Sequence, residues 1–319
     1  MRVVILGAGI SGLSAAMLLR ERGDEVIVVS ADRMEATTSH LAAAVWFPTS
    51  AGPPGAVARW GSRTYDVLAE QAAQAVPGVV MRESLVLYRQ PPDEQPWQQA
   101  VGAIRPARPD ELPPGYGHGL RFQVPLVEMP VYLPWLHRRF LDGGGKRVLR
   151  RVTGLGELAD LAPDAIVNSA GLAAGALVGD DSCYPIRGQI VRVVNPGLTL
   201  SVRDEAHPEG RAYVHPRTED CILGGTLDAG EWDTAVDDEL TASIVRRCTD
   251  VVPALAGAEV LEALVGLRPG RPEVRLERDT AGSIPVVHNY GHGGSGITLS
   301  WGCAEDVVAL LGDTADSLS

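Results

Sequence analysis

The sequence has little positive charge for its length of 319 residues. Lys and Arg together number 28 against 40 Asp and Glu, which gives a formal net charge of −12. Lys146 is the sole lysine, so the positive charge is almost entirely arginine. Binding to nucleic-acid phosphates needs a basic surface, and binding to anionic lipid needs a polybasic run. We therefore expect neither a nucleic-acid partner nor a membrane partner.

Cysteine is scarce too, and its spacing excludes the common metal sites. The four cysteines form no CxxC pair; they are Cys183, Cys221, Cys248 and Cys303. Because paired ligands at short spacing are typical of zinc and redox sites, we predict no metal. Buried reduced thiols are the simplest expectation, and a disulfide between two of the four stays open.

Long hydrophobic runs are absent. No stretch reaches the ~20 uninterrupted apolar residues of a membrane span. The apolar start of the chain is broken by Gly7, Gly9 and Gly12, and Arg20 and Arg22 follow where a signal peptide would have its cleavage site. We expect a cytoplasmic protein.

What is present fits a soluble globular enzyme or binding protein. Hydrophobic residues make up 45% and charged residues 21% of the chain, enough for a sizeable core. The length exceeds one average domain, so we expect one large domain or two interleaved ones.

The first thirty residues match a dinucleotide-binding fingerprint. An apolar strand is predicted at 2–6, a helix at 13–22 that ends near Gly23, and a second strand at 25–30. Between the first strand and the helix lies Gly7-Ala8-Gly9-Ile10-Ser11-Gly12. A GxGxxG framed in this way predicts a nucleotide cofactor whose pyrophosphate lies at the helix N-terminus.

A second glycine-rich loop lies near the other end of the chain. Four glycines occur within six residues, at 291, 293, 294 and 296, and a helical pattern follows them. Such density suggests that backbone lies close to another group, and the free N–H groups at a helix start favour an electron-rich one. We predict that this loop contacts the cofactor.

The remaining pattern predicts strands and helices separated by loops rich in proline and glycine at 48–55 and 90–119. Helices are expected at 56–76, 134–141 and 240–252, and a pair of short strands within 79–89. Further strands are expected at 146–153, 165–170, 189–194, 212–215 and 260–267. The predicted fold is α/β, with a discontinuous Rossmann-like nucleotide domain (1–50, 142–186 and 272–319) interleaved with an antiparallel-sheet α+β substrate domain (51–141 and 187–271).

Residues 29–46 narrow the choice of cofactor only in part. Asp32 follows the second strand, where an acid usually holds the adenosine ribose. Small and hydroxyl residues at 37–46 would let a loop approach a pyrophosphate or a bulky ring. Physical chemistry alone does not separate a flavin from a nicotinamide here.

Motifs along the whole chain resemble those of the D-amino acid oxidase family of flavoproteins. They lie at 1–12, 31–33, 37–46, 165–175 (AIVNSAGLAAG), 187–189 (RGQ), 212–217 (AYVHPR), 265–277 (VGLRPGRPEVRLE) and 286–304. The resemblance implies a non-covalent FAD held between the two ends of the chain. The contacts that it implies for FAD are Gly7, Ala8, Gly9, Ile10, Ser11, Asp32, Arg33, Thr38, Ser39, Ala43, Ala44, Val45, Val152, Gly293, Gly294, Ser295, Gly296, Ile297 and Thr298.

The resemblance also implies a substrate site. Arg268, in Gly-Leu-Arg-Pro, would bind the substrate carboxylate through two parallel hydrogen bonds. Tyr213 would add a hydrogen bond to the same carboxylate, the Gly294 carbonyl would accept from the amine, and Tyr290 would wall the pocket. Because the flavin accepts a hydride directly, no residue is expected to act as an acid or a base, and His288 and His292 are not predicted to be catalytic.

Two departures from the family pattern concern the substrate. The segment 203–211 (RDEAHPEGR) has no aromatic residue where many relatives carry a lid tyrosine. Leu227 stands where relatives selective for acidic substrates carry an arginine, which favours neutral or apolar side chains. Arg211 or Arg217 could replace that arginine, so an acidic substrate stays open.

The function implied is oxidative deamination of neutral D-amino acids to 2-oxo acids, ammonia and H2O2, with the D-amino acid and O2 as small-molecule partners. The alternatives are a glycine, imino-acid or D-aspartate oxidase, and a dehydrogenase with another acceptor. Two further hypotheses come from other classes: an NAD dehydrogenase and a non-catalytic nucleotide-binding protein. A homodimer stays open.

Overall fold

The computed structural model describes residues 1–48 and 51–312. In these residues the α-helices are α1 (Ile10–Arg22), α2 (Thr38–Leu41), α3 (Pro54–Ala73), α4 (Met129–Asp142), α5 (Asp238–Val251) and α6 (Gly296–Gly312). The strands are β1 (Arg2–Leu6), β2 (Glu25–Ser30), β3 (Val79–Tyr88), β4 (Arg105–Pro106), β5 (His118–Val127), β6 (Lys146–Leu149), β7 (Ala165–Asn168), β8 (Tyr184–Val194), β9 (Ser201–Asp204), β10 (Ala212–Pro216), β11 (Asp220–Gly224), β12 (Asp228–Ala229), β13 (Val260–Gly270), β14 (Arg275–Asp279) and β15 (Val286–Tyr290).

Six strands form a mostly parallel sheet in the order β14-β15-β7-β1-β2-β6. Only the edge strand β14 runs antiparallel to its neighbour. Alternate residues of β1 enter different clusters: Val3 and Ile5 pack with α1, α4 and α6, whereas Val4 and Leu6 pack on the other side. Strands that are covered on both faces are apolar at every position, which explains the continuous hydrophobic runs in the sequence.

The second sheet is larger and mostly antiparallel. Its order is β12-β8-β11-β10-β9-β3-β5-β4, and β13 also pairs with β8. Helix α5 packs against this sheet through Ile244, Cys248 and Val251, which share a core with Val191 and Val214. The predicted α/β class with a parallel sheet and an antiparallel sheet is confirmed.

The strands of each sheet come from different parts of the chain. Those of the six-stranded sheet lie within 1–50, 142–186 and 272–319, and those of the other sheet lie in the remaining segments apart from the first residues of β8. Helices α3 and α4 nevertheless contribute Leu68 and Leu136 to the core beneath the six-stranded sheet. The division into two domains stays a prediction. By their packing, these two helices belong with the six-stranded sheet.

Several predicted elements differ in their limits or number. Helix α1 begins three residues before the predicted start, and β8 begins five residues before its own. The pair of strands predicted in 79–89 is wrong, because β5 pairs with β3 along its whole length from Val79 to Tyr88. Residues 49 and 50 of the loop predicted at 48–55, and the last seven residues of the chain, lie outside the described part.

Three further expectations concern the state of the cysteines, metal sites and membrane-spanning helices. All four cysteines are free thiols, and three of them are buried. Among the described residues, no cluster of His, Cys, Asp and Glu could hold a metal ion. No described helix is long and apolar enough to cross a membrane.

Candidate active site

A cavity of about 470 Å³ receives residues from both sheets. The carboxyl ends of β1 and β7 supply Leu6 and Ser169, while the antiparallel sheet supplies Gly188, Tyr213 and Arg268. Nearly all residues predicted for the cofactor line it: Gly7, Ala8, Gly9, Ile10, Ser11, Asp32, Thr38, Ser39, Ala43, Ala44, Val45, Val152, Gly293, Gly294, Gly296, Ile297 and Thr298. Arg33 and Ser295 are not among the lining residues. Their roles, like those of the rest, stay predictions.

The first glycine loop packs so closely that side chains would not fit. A Cβ on Gly7 would lie 2.1 Å from the Ser169 carbonyl oxygen, and Gly7 has a φ of +117°. A Cβ on Gly12 would lie 2.0 Å from the Gly7 carbonyl oxygen. These contacts hold the loop against the ends of β1 and β7, so the N-terminus of α1 points at the cavity.

Ser39 joins this loop to the segment after β2. Its hydroxyl accepts a hydrogen bond of 3.1 Å from the Ile10 N–H, and a Cβ on Gly9 would approach it to 2.9 Å. Helix α1 has no side-chain cap of its own at Gly9. The start of α1 therefore keeps N–H groups for an anionic ligand, as expected for a pyrophosphate.

Asp32 lies at the outer part of the cavity and is paired with an arginine that the sequence did not single out. Arg151 Nη2 lies 3.1 and 3.0 Å from the two Asp32 carboxylate oxygens, and both side chains are exposed. Arg151 follows β6, which is parallel to β2, so the two residues meet at the same edge of the sheet. That edge also carries Val152.

The segment around Ala44 is held between β5 and α6. Ala44 has a φ of +54°, and its carbonyl accepts from the Val127 N–H at 2.9 Å. The Thr298 hydroxyl accepts from the Phe47 N–H and donates to the Phe47 carbonyl, both at 3.1 Å. The N-terminal segment and the C-terminal loop are thereby joined on one wall of the cavity.

The second glycine loop is a short turn that leads into α6. Residues 293–295 form one turn of 3₁₀ helix, and α6 begins at Gly296. Gly294 is exposed in the cavity, whereas Ser295 behind it is buried. Gly291, with a φ of +83°, lies against Arg271, to whose Cβ a side chain would approach within 2.7 Å. At Gly293, Gly294 and Gly296, which line the cavity, the backbone can thus approach a ligand with no side chain of its own in between.

Three buried polar atoms on the cavity wall have no hydrogen-bond partner among the described residues. They are Ser169 Oγ, Asn289 Oδ1 and His292 Nε2. Burial lowers the pKa of His292 to about 4, so its imidazole is neutral. Because buried polar groups are usually hydrogen-bonded, these atoms fit a ligand with its own donors and acceptors, such as the phosphates, ribityl chain and ring of FAD.

Arg268 extends into the cavity from β13. Its Nη1 donates to the Thr226 carbonyl at 3.1 Å, and it has no ion-pair partner among the described residues. A Cβ on Gly188 would lie 2.0 Å from the same Nη1, so the absent side chain provides the space for the guanidinium. An uncompensated guanidinium in a cavity suits a carboxylate ligand.

Tyr213 lies beside it on β10. The side chain is only 8% exposed, and its ring stacks on His215 with 4.7 Å between the centroids. A Cβ on Gly224 would lie 2.2 Å from the phenol oxygen. Burial raises the pKa of Tyr213 against the opposing effect of Arg268 and Arg203, so the hydroxyl remains a proton donor.

Tyr290 lines the cavity with its ring and directs its hydroxyl elsewhere. That hydroxyl donates to Asp180 Oδ2 at 2.8 Å and accepts from Arg275 Nη1 at 2.8 Å. Burial raises its pKa to about 12. Its role as a wall of the substrate pocket stays a prediction, and its phenol group is already engaged by Asp180 and Arg275.

The cavity also contains polar and charged residues that were missed or left open in the sequence. The charged residues Arg203, Glu205 and Arg211 line it beside Tyr213, and so does His215. Arg217, the other arginine considered for an acidic substrate, is instead in a buried ion pair with Asp220 at 2.5 Å and does not line the cavity. Arg217 is therefore excluded as a direct substrate contact.

A parallel sheet with a glycine loop between its first strand and α1, sharing a cavity with an arginine that has no ion-pair partner among the described residues, is typical of an enzyme that binds a dinucleotide cofactor. The chain belongs to the FAD dependent oxidoreductase family, whose model matches residues 2–310. FAD is accordingly its cofactor, and the lining described above fits that group.

Relatives and solved structures agree with this family. The chain is 50% identical to a D-amino-acid oxidase of Rubrobacter xylanophilus, covering 98% of this chain and 96% of the relative. It is 41% identical to a D-amino-acid oxidase of Streptomyces coelicolor, covering 97% and 96%. The fold is similar to the crystal structure of glycine oxidase from Geobacillus kaustophilus, with a TM-score of 0.81, 19% identity and coverage of 98% and 95%.

Proposed function

We propose that this enzyme oxidises neutral D-amino acids to 2-oxo acids, ammonia and H2O2. The observation that carries the proposal is that Arg268 and Tyr213 face the same cavity as both glycine loops. An arginine that could bind a carboxylate thus shares its cavity with the two loops predicted to hold the flavin, and oxidation of an amino acid at Cα needs both groups in one site. The names of the two curated relatives support the D-amino acid as the substrate.

When bound, FAD would supply the acceptor for the Cα hydride, and its reoxidation by O2 would account for the H2O2. The protein's task is then to bind and orient the substrate. Arg268 would bind the carboxylate through two N–H groups, and the Tyr213 hydroxyl would donate to the same carboxylate. The carbonyl of Gly294, a residue exposed in the cavity, would accept a hydrogen bond from the amine. The imine product hydrolyses in water to the 2-oxo acid and ammonia.

No side chain is required as a general acid or base in this scheme. His215 lies near the proposed carboxylate site, and burial together with Arg203 lowers its pKa well below the usual value. His292 is neutral as well. Both would serve as neutral hydrogen-bonding groups, which is consistent with direct hydride transfer.

Leu227 on the cavity wall supports a neutral or apolar substrate side chain. We also infer a cytoplasmic location, because four free thiols suit a reducing compartment. A homodimer stays a prediction, which the mass in solution would test.

The proposed function is tested by the visible spectrum and a peroxide assay. The purified protein should show flavin absorption bands, and H2O2 should form with D-alanine, D-valine or D-methionine but not with the L-enantiomers. Equal rates on both enantiomers would contradict the stereochemical proposal. Substrate oxidation that produces no H2O2 under air would indicate a dehydrogenase with another acceptor.

A further inference from the structure

We infer that Glu205 sets the preference for neutral side chains, because it occupies the two arginines that would otherwise bind a second carboxylate. The inference rests on the proposed function and concerns the same cavity. It assigns the rejection of acidic D-amino acids to one residue in the segment where relatives carry a lid.

The contacts of Glu205 place it between the two arginines. Its Oε1 lies 3.2 Å from Arg203 Nη1, and its Oε2 lies 2.6 Å from Arg211 Nε. The Arg203 side chain is buried and lies over the Phe47 ring, with 4.1 Å between the guanidinium carbon and the ring centroid. One carboxylate therefore bridges two guanidinium groups on the cavity wall.

Glu205 compensates the positive charge of arginines that lie around Tyr213. The Arg203 guanidinium carbon lies 5.8 Å from the centroid of the Tyr213 ring, and Arg211 and Arg268 line the same cavity. Each of the three acts to lower the pKa of the Tyr213 phenol. Arg268 is assigned to the α-carboxylate of the substrate. Among the described residues that line this end of the cavity, Glu205 is the sole acid. Without it, Arg203 and Arg211 would form a cationic pair of the kind that binds carboxylates.

With Glu205 in place, a substrate side chain that carries a carboxylate meets a like charge and arginine N–H groups that are already engaged. Like charges in a partly desolvated site are strongly disfavoured, and rejection of the wrong ligand by such a repulsive group is a common source of specificity. A neutral side chain incurs neither cost. The polar side chains at this end thus favour a neutral substrate, although three arginines lie there.

The backbone that carries these residues is fixed independently of Glu205. Arg247 on α5 donates to the carbonyls of Arg211, Glu209 and Gly225. The Ala206 N–H donates to Asp204 Oδ1 at 2.8 Å. Replacing the Glu205 carboxylate by an amide should consequently leave Arg203 and Arg211 in position.

The test is Glu205→Gln, assayed with D-glutamate and D-norvaline. We expect kcat/KM for D-glutamate, relative to that for D-norvaline, to rise at least tenfold. The rise should come mainly from KM, because the change affects binding of the side chain. The matched control is Glu209→Gln in the same turn: Glu209 pairs with Arg246 and does not line the cavity, so the ratio should not change.

Two further measurements keep the test decisive. The double variant Glu205→Gln/Arg211→Gln should lose the gained D-glutamate activity, since one cation of the pair is removed. Succinate, which cannot be oxidised as an amino acid, should perturb the flavin spectrum at a lower concentration in Glu205→Gln than in the unmodified enzyme. This binding readout applies even where the variant has poor turnover.

An unchanged substrate ratio together with unchanged succinate binding would overturn the inference, as would a preference of the unmodified enzyme for D-glutamate. If the unmodified enzyme produces H2O2 from D-norvaline in those cases, the proposed function stands and only the role of Glu205 fails. If it oxidises no D-amino acid, the proposed function itself fails.

Discussion

Gly188 contributes to the candidate site by having no side chain. The Arg268 guanidinium occupies the space that a Cβ at this position would need, with approaches of 2.0 to 2.3 Å. In Gly188→Ala we expect the guanidinium to be displaced and KM for D-amino acids to rise about tenfold or more, since the orientation of the bidentate contact is lost. Flavin content should be unchanged, and steady-state kinetics with the visible spectrum would check both.

Gly156→Ala is the matched control, because a Cβ there would meet no atom within 4 Å. Its kinetics should equal those of the unmodified enzyme. Normal KM in Gly188→Ala would show that Arg268 does not bind the substrate in the orientation described.

The geometry of Arg268 matters as well as its charge. Lysine carries the same charge but has no planar pair of donors, so Arg268→Lys should lower kcat/KM by about 100-fold, mainly through KM. Arg217→Lys is the comparison: it alters a buried ion pair outside the cavity, and it should lower stability while leaving KM unchanged. A rise in KM in both variants would indicate that the substitutions disturb the structure in general, and would not support a specific role of Arg268 in substrate binding.

Buried histidines give the enzyme a pH-dependent stability. Burial lowers the pKa of His292 to about 4, whereas in the unfolded chain it is about 6.5. The unfolded state therefore binds the proton first, and stability present above pH 6.5 is lost as the pH falls toward 4. For His292 alone the loss between pH 7 and pH 5 is about 2 kcal/mol, and His215 acts in the same direction.

Urea unfolding at pH 7 and pH 5 would measure this loss. In His292→Gln the difference between the two pH values should shrink by about 2 kcal/mol, whatever the variant's absolute stability. An undiminished difference would mean that His292 is already protonated in the folded enzyme at pH 5.

Among the helices, α6 and α3 meet at an unusually close backbone contact. A Cβ on Gly302 would lie 2.4 Å from the Trp60 carbonyl oxygen and 2.5 Å from its Cα. Backbone gives way less easily than a flexible side chain, so Gly302→Ala should lower the free energy of unfolding by about 2–3 kcal/mol. The measurement is urea denaturation of the FAD-loaded enzyme.

Gly312→Ala tests the same substitution in the same helix. A Cβ at Gly312 would meet only the Arg22 side chain at 3.8 Å, an ordinary contact. We expect this variant to be neutral or slightly stabilised, because alanine favours the helix. Equal losses in both variants would contradict the packing argument.

Local patterns were sufficient to predict β1, α1 and β2, because their hydrophobic periodicity and glycines lie within thirty residues. Strand β5 was not predicted at all, and β3 was predicted as two strands. Each of these two strands can be recognised only when its partner strand is known. In β3, Arg82 and Glu83 interrupt the apolar pattern, and the pairing with β5 shows that the strand continues through them. Such pairing joins distant parts of the chain, which local periodicity does not reveal.

The same reason explains which site residues were missed. Arg211, Tyr213 and His215 alternate along or beside β10, and all three line the cavity. That period of two could have indicated His215 once Tyr213 was chosen. Arg203 lies opposite Tyr213 on β9, and this register is not written in either strand alone.

The cavity joins parts of the molecule that are far apart in sequence. Most residues of the segments 7–11, 38–45 and 293–298 line it, so FAD bound there as predicted should stabilise the folded state. Removal of FAD should lower Tm, and added FAD should raise it again with increasing concentration, by about 2.7 kcal/mol of stability at one hundred times the Kd. Thermal unfolding of the FAD-free and reloaded enzyme would check this.

ADP provides the comparison for that experiment. It shares the adenosine and pyrophosphate groups with FAD and should stabilise the FAD-free enzyme less, because it leaves 293–298 without a ligand. A rise in Tm that ADP reproduces in full would mean that the second glycine loop does not contact the flavin.

Strand β15 lies between β14 and β7 in the parallel sheet, and the glycine loop that follows it completes the cavity. During synthesis on the ribosome, β15 is made more than a hundred residues after β7. Until then the edge of β7 that pairs with β15 has no partner strand, and the sheet is incomplete. A growing chain that already has its first glycine loop therefore has only part of the cavity in which FAD is predicted to bind. Cofactor loading should come after release of the C-terminal segment, and nascent chains stalled before residue 286 should retain no flavin.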